Sequence, residues 1–426
     1  MAEDYGIAVL HSPLEIDAAA WDALLDSQEN PSPFMRHAYL LALHASGCAT
    51  AQTGWVPHFI VLHAGNAPYT LAGACVVYEK THSYGEYVFD WAWANAYAQH
   101  GLDYYPKALV AVPFTPVPGA RLLARSPEAR AALVQALLQW CKRNGMSSLH
   151  LLFAQEQDVA ACTDAGLLLR HNVQFHWNNT DPGYTDFAHF LTALSQDKRK
   201  KIRQERRRVW DSGVRFRWAQ GLDISAADWD FFYRCYERTY FEHGNAPYLN
   251  RGFFAHMQRC MPEHWLLFIA ERDEKPIASS LIAVAAQPAS ATGINWQKGQ
   301  TIQKVAYGRY WGALERVDCL HFEACYYQPV QWCIENGYQR FEGGAQGEHK
   351  MARALLPVKT TSAHWLAHPE FAQAIAHFLD READSVNTYL DELAQRSPLR
   401  RQAMQHEDGG VELQLRLTEK TERKIP

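Results

Sequence analysis

The 426 residues hold 41 Lys plus Arg against 46 Asp plus Glu, a formal net charge of −5, with 48% hydrophobic and 12% aromatic residues. That length predicts two or three domains, each able to bury its own core, and the charge excludes nucleic-acid binding through overall basicity while leaving room for a local patch. Nine scattered cysteines without C-x-x-C, no basic and apolar N-terminal leader and no run of eighteen apolar residues predict a cytoplasmic chain with no disulfide framework, zinc ribbon or membrane span.

In the first half, short apolar runs alternate with helical stretches, the pattern of an α/β domain. Val56–Leu62 and Leu71–Tyr78 read as strands joined through the turn signal Gly65-Asn66. Ala108–Val112 is a third apolar run, Glu128–Lys142 a helix, and Leu149–Phe153 a buried strand. A short helix near Glu156–Asp164 ends at Gly166, and Leu167–Arg170 and Val173–Trp177 read as a last pair of strands. Turn formers over Asn178–Tyr184 set a domain boundary near residue 180.

The second half opens with a helix from Asp186 to Leu194, a basic helix from Lys198 to about Asp211 and a strand at Val214–Trp218. Ser225 caps a helix whose Trp229, Phe232, Tyr233, Tyr236 and Tyr240 fall at helical spacing. Trp265–Ala270 and Ile277–Ala285 form a hairpin around Asp273-Glu274-Lys275, and Gln287–Lys304 reads as a polar loop insertion. Strand Ala306–Trp311, helix His321–Asn336, strand Arg340–Gly343, helix Glu348–Leu355 and strand Thr361–Ala367 follow. The shared order implies a duplicated α/β fold over 1–180 and 181–394, although no residue-level repeat shows in the sequence. The polar tail, 395–426, is expected to be largely disordered, with only Val411–Leu417 alternating like a strand.

Four segments bear chemistry. Lys198–Arg208 places eight basic residues in eleven, which reads either as a solvated helix or as a docking face for phosphates of RNA, a lipid-linked pyrophosphate or an anionic membrane; Lys198, Lys201, Arg203 and Arg206 are its candidate ligands. Phe341–Lys350 runs from a strand through Gly343 and Gly344 into a helix, a turn or a cradle for an anion, with Glu342 and His349 as acid/base groups and Lys350 and Arg353 one turn apart. Tyr307–Gly312 contains Gly308 inside a strand, which predicts a bulge able to free a backbone N–H for a carbonyl; Arg309, Tyr310 and Trp311 adjoin it. His321 and Glu323 open the next helix, ahead of Tyr326 and Tyr327. Dipole compensation explains Glu323 alone, whereas Glu323 with Glu342 suggests paired carboxylates.

The fourth segment is a set of N-terminal loops offering His82, Glu86, Asp90, Tyr105 and Lys107 for substrate recognition. The sequence lacks H-E-x-x-H, G-x-S-x-G, G-x-G-x-x-G and Walker A motifs, and no activating arrangement marks Cys319 or Cys325 as a nucleophile.

At these residues the chain resembles the FemAB-like branch of the GNAT acyltransferase superfamily, proteins of peptidoglycan biosynthesis or recognition. The matching stretches are GEYVFDWAWANAY, YYPKALVAVPFTPVPGARLL, QFHWNN, DKRKKIRQERRRV, YGRYWGALE, CLHFEACYYQ and RFEGGAQGEHKMARALLP, within roughly residues 30–385. The resemblance implies two tandem GNAT-like domains of mixed sheets flanked by helices. It also implies transfer of an acyl or aminoacyl group to an amine, with acyl-CoA or aminoacyl-tRNA as co-substrate and no required cofactor or metal. After Trp311 the Q/R-x-x-G-x-G/A loop of CoA users is replaced by a segment containing Leu314–His321, which fits a different donor. Glu342, Glu323, His349 and His321 are the candidate catalytic groups. Arg309, Tyr310, Trp311, Tyr326, Tyr327, Gly343, Gly344, Lys350, Arg353 and the N-terminal loop residues are the candidate substrate ligands, with a tRNA or an anionic lipid-linked precursor meeting the basic helix. The alternative is a noncatalytic protein that recognises RNA or a peptidoglycan precursor on a degenerate acyltransferase fold.

Overall fold

Alternating apolar residues build one mixed sheet of thirteen strands within residues 5–65, 70–285, 304–345 and 347–400, the residues described by this computed structural model. In chain order the strands are β1 (Tyr5–Leu10), β2 (Trp55–Ala64), β3 (Leu71–Lys80), β4 (Lys107–Val110), β5 (Leu123–Ala124), β6 (Ser148–Ala154) and β7 (Leu168–Asn178). The second half supplies β8 (Arg215–Gln220), β9 (Trp265–Arg272), β10 (Lys275–Val284), β11 (Val305–Ala313), β12 (Arg340–Ala345) and β13 (Leu356–Leu366). Across the sheet the order is β1-β2-β3-β4-β6-β13-β7-β12-β11-β10-β9-β8, with β5 beside β3.

The helices are α1 (Ala18–Asp26), α2 (His37–Ala45), α3 (Trp91–Gln99), α4 (Pro127–Arg143), α5 (Glu156–Asp164), α6 (Phe187–Thr192), α7 (Gln196–Asp211), α8 (Ala226–Glu242) and α9 (Arg251–Cys260). After them come α10 (Leu320–Phe322), a π-helical segment (Glu323–Tyr327) continuous with α11 (Gln328–Glu335), and α12 (Pro369–Gln395). Local chemistry sets their ends. Ser126 accepts from the Ala129 N–H to cap α4, Pro127 fits its first turn, and Lys142 and Arg143 complement the dipole of its last. Ser225 and Asp228 form a capping box on α8. Asp273 and Glu274 both adopt positive φ (50° and 61°), which closes the β9–β10 hairpin in two residues.

Each half sends its last strand into the other: β7 lies between β13 and β12, and β13 between β6 and β7. This exchange exposes a repeat at residue level. Parallel pairing sets Leu109 against His150 and Tyr307 against Glu342; across the next ladder His150 faces His364 and Glu342 faces His176. His176-Trp177 and His364-Trp365 are therefore equivalent dipeptides of the two halves.

The expected pair of strands at Leu167–Arg170 and Val173–Trp177 is the single strand β7, because His171 and Asn172, which read as a break, stay in the ladder opposite Thr361 and Thr360. The helix expected at Glu348–Leu355 is a tighter 3₁₀ helix over Glu348–Arg353, stopped by Ala354 at φ 64°. β1, β5, α1, α2, α3, α9 and α12 went unread in the sequence. The turn at Asn66, the insertion over 287–303 and the tail over 401–426 lie outside the described residues. Among the described residues no helix is long and apolar enough to cross a membrane.

Candidate active site

The site begins with a break in strand alternation. On β11, Val305 and Tyr307 face the core that holds α8 and α9, whereas Ala306 faces the core that holds α7 and α11. The ladder to β10 then slips: Leu281 opposes Tyr310 and Ile282 opposes Gly308, leaving Arg309 as the extra residue of a bulge. The bulge expected at Gly308 is thus centred one residue later. It puts Arg309 and Tyr310 on the α8 side together and turns Trp311 to the other side, where its ring lies 5.6 Å from that of His321. Beyond it, Gly312 lets α8 touch the strand; a Cβ there would stand 1.9 Å from the Cys235 carbonyl oxygen.

On its other edge β11 pairs in parallel with β12 as far as Tyr307 and Glu342. There β12 leaves through Gly343 and Gly344. A Cβ on Gly343 would come within 2.3 Å of Leu355 and 3.0 Å of the Phe175 carbonyl, and Gly344 has φ +75°. Past Tyr307, the β12 side of β11 therefore carries no ladder partner among the described residues.

Glu342 sits at this fork. It is buried, its Oε1 lies 3.1 Å from Arg340 Nε, and its Oε2 lies 4.0 Å from His176 Nε2 with no hydrogen-bond partner among the described residues. Desolvation lifts its carboxyl to about 7, against the pull of Arg340. His176, also buried, is pushed down to about 3 by desolvation and then by Arg340 and Lys350, so at neutral pH it is an uncharged imidazole beside the carboxyl.

The other second-half candidates gather on the α7 side. Glu323 accepts from Arg206 Nε (3.1 Å) and from Gln328 Nε2 (2.7 Å), so the two carboxylates expected to pair point to opposite faces of the sheet. Tyr326 OH meets His349 Nε2 at 3.2 Å, with His321 6.4 Å away ring to ring. Burial, then His349 and Arg353, hold His321 down at about 4. Arg353 bonds Glu205 (2.9 Å), which also accepts from Tyr327 OH. Lys350 Nζ donates to the Gly343 carbonyl (2.7 Å), and burial lowers it to about 8. At the end of β11 a cavity of about 380 Å³ is lined by Trp311, His321, Arg238, Glu242, Arg316 and Leu320 among others. Lys201 and Arg203 stay exposed on α7, Lys198 is half-buried, and Arg206 is taken up by Glu323.

A family model described as FemAB-like, peptidoglycan biosynthesis/recognition, matches residues 12–401. The chain belongs to the FemAB-like family. No curated protein matches it. Among solved structures, the FemAB-like chain is similar to L-PGS from Bacillus licheniformis at 10% identity and TM-score 0.48, covering 85% of this chain and 97% of that one. It is also similar to a conserved protein of unknown function from Bacteroides thetaiotaomicron (10%, TM-score 0.46, 84% and 99%) and to a tandem GNAT protein from the clavulanic acid biosynthesis pathway (10%, TM-score 0.44, 86% and 99%). The strand order of the FemAB-like chain repeats, β1-β2-β3-β4-β6-β13 in one half and β8-β9-β10-β11-β12-β7 in the other.

In the first half of this FemAB-like chain, the loop residues singled out in the sequence converge in the interior. Lys107 Nζ donates to Ser83 Oγ (2.7 Å), Glu86 (2.7 Å) and Asp90 (2.5 Å), and Tyr104 OH donates to Asp90 (2.6 Å). Tyr105 reaches Ser83, and His82 lies with its Nε2 2.9 Å from the Thr53 carbonyl and its Nδ1 3.5 Å from Lys80 Nζ. Lys80, over the Trp55 ring at 3.4 Å, is lowered to about 7 by burial, and burial raises Glu86 to about 7. His150 and His364 touch through their Nδ1 atoms at 2.7 Å, at the positions that Glu342 and His176 hold in the other half. The sequence reading did not single out His176, His150 or His364 as site residues; the repeated His-Trp dipeptide was the signal available.

Proposed function

We propose that the chain transfers an acyl or aminoacyl group directly from an activated donor to an amine bound on the α8 side, with Glu342 as the base. The observation that carries this reading is the buried Glu342 carboxyl, raised to about 7, at the fork where β11 and β12 part. A group of that basicity is half ionised near neutral pH and can take a proton from the acceptor's ammonium before attack or from its amine during attack. The amine nitrogen forms the new bond to the acyl carbon as the bond from that carbon to the sulfur of acyl-CoA or the ribose oxygen of aminoacyl-tRNA breaks, and Glu342 receives the amine proton and returns it, directly or through water, to the departing sulfur or oxygen. N–H groups of the bulged stretch Gly308 to Trp311 are the donors for the carbonyl oxygen in the tetrahedral state.

The donor's place in this reading is the end of β11, between the C-terminus of α8 and the start of α10. The cavity beside Trp311 and His321, with Arg238 and Arg316 on its wall, and the exposed cations of α7 suit the phosphates shared by both donor classes. Glu323, held by Arg206 and Gln328, then orders the basic helix rather than moving protons. The functional halves divide near residue 180, and the chain works in the cytoplasm, where both donors are made. The test is mass spectrometry of amine panels incubated with the full chain and either acetyl-CoA or aminoacyl-tRNA. An N-acylated product with one donor supports the reading. No product with either, while a peptidoglycan precursor or RNA still binds, favours noncatalytic recognition.

A further inference from the structure

Arg309 is an arginine without an acid. Its neighbours around the fork are matched, Arg206 by Glu323, Arg340 by Glu342 and Arg353 by Glu205. Arg309 instead spends one nitrogen, Nη2, on the Phe114 carbonyl (3.0 Å), Thr115 Oγ1 (3.1 Å) and Tyr310 OH (3.0 Å). Its Nε is buried and has no hydrogen-bond partner among the described residues. Its guanidinium stands 5.0 Å from the Phe34 ring centre and 4.8 Å from that of Tyr310. Burial opposes its charge, and the leading titratable groups around it are the phenols of Tyr310, Tyr39 and Tyr87 rather than carboxylates.

A half-buried guanidinium held at one edge, with an unused N–H and aromatic walls, has the fork geometry that carboxylates satisfy. The bulge fixes its direction. It shares the α8 face with Tyr307, the register partner of Glu342, and lies two residues further along β11. Strand spacings put the Arg309 and Glu342 backbones about 8 Å apart, a separation that long side chains from both ends reduce to the size of a small molecule. One guanidinium matches the single charge of a carboxylate, whereas the second charge of a phosphate needs a second cation, and the described contacts of Arg309 are a carbonyl, two hydroxyls and two aromatic rings.

We propose that Arg309 anchors a carboxylate carried by the amine acceptor, so that the acceptor is an amino-acid-like or peptide-like amine; this rests on the acyl-transfer reading for the word acceptor, but not for the binding itself. The test is calorimetric titration of the full chain with matched pairs: L-lysine and cadaverine, L-phenylalanine and phenethylamine, L-alanyl-L-alanine and its C-terminal amide, with acetate and inorganic phosphate as competitors. At least one carboxylate should bind on the order of 10- to 100-fold tighter than its neutralised or decarboxylated partner. Arg309→Met should erase that difference and Arg309→Lys should keep part of it. Equal affinity within every pair, binding by no member, stronger competition by phosphate than by acetate, or a preference intact in Arg309→Met overturns the proposal. The wild-type pairs decide the question even if the variants fail to fold. A carboxylate preference without any transfer product would sink the acyl-transfer reading alone, and transfer without the preference would sink the anchor alone.

Discussion

Replacing Glu342 with Gln should make the protein more stable at alkaline pH, a consequence of burial that can be worked out with its sign. An unfolded glutamate ionises near 4.5, whereas the folded Glu342 does so at about 7. The folded state therefore favours the protonated form. The stability this contributes is complete below pH 4.5 and is lost as pH rises to about 7, beyond which the native protein carries a buried carboxylate. The difference corresponds to about 3 kcal/mol. Gln mimics the protonated acid and does not titrate, so Glu342→Gln should match the wild type near pH 4.5 and exceed it by about 3 kcal/mol at pH 8. Urea unfolding followed by tryptophan fluorescence at both pH values measures it, since other titrating groups cancel in the comparison. A variant less stable than wild type at pH 8, or a gap that does not change with pH, would refute the reasoning.

Three further outcomes follow from particular contacts. Lys107→Met leaves Glu86 and Asp90 buried without their shared cation and should lower stability by about 3–5 kcal/mol in urea unfolding; a loss under 1 kcal/mol would remove the interior ion network. Gly312→Ala drives a methyl into the Cys235 carbonyl and should cost on the order of 1–3 kcal/mol, read from the thermal midpoint together with loss of activity as α8 shifts from the bulged strand. Lys201→Glu with Arg203→Glu, both exposed, should leave the thermal midpoint unchanged while weakening filter binding of a tRNA probe and flattening its log-log salt dependence by about one to two.

Much of the fold was legible because helices and hairpins are local. The amphipathic spacing of α4, the Ser225 capping box and the Asp273-Glu274 turn sit in the sequence as they sit in the structure. The exchange of β7 and β13 was not legible, since strand order is set by long-range pairing that periodicity does not encode. It decides the site all the same: without β7 in the second half, His176 would not adjoin Glu342. Among the candidates, the sequence placed Glu342, Arg309 and Trp311 in the right segments but could not sort them by face. A bulge of one residue sets Arg309 and Tyr310 on one side of the sheet and Trp311 on the other, and only the ladder to β10 reveals it. Glu323 looked like a partner for Glu342 because one opens a helix and the other lies on the adjacent strand. Arg206, more than a hundred residues earlier, claims it instead.

The most direct measurement is the pH profile of kcat/KM for acyl transfer by the wild type and by Glu342→Gln, using whichever donor and amine yield product. The account predicts a wild-type rate that climbs as pH rises through about 7 as Glu342 ionises, and a variant slower by on the order of 10²- to 10⁴-fold with that rise gone. A Glu342→Gln enzyme with wild-type turnover and an unchanged profile would contradict it.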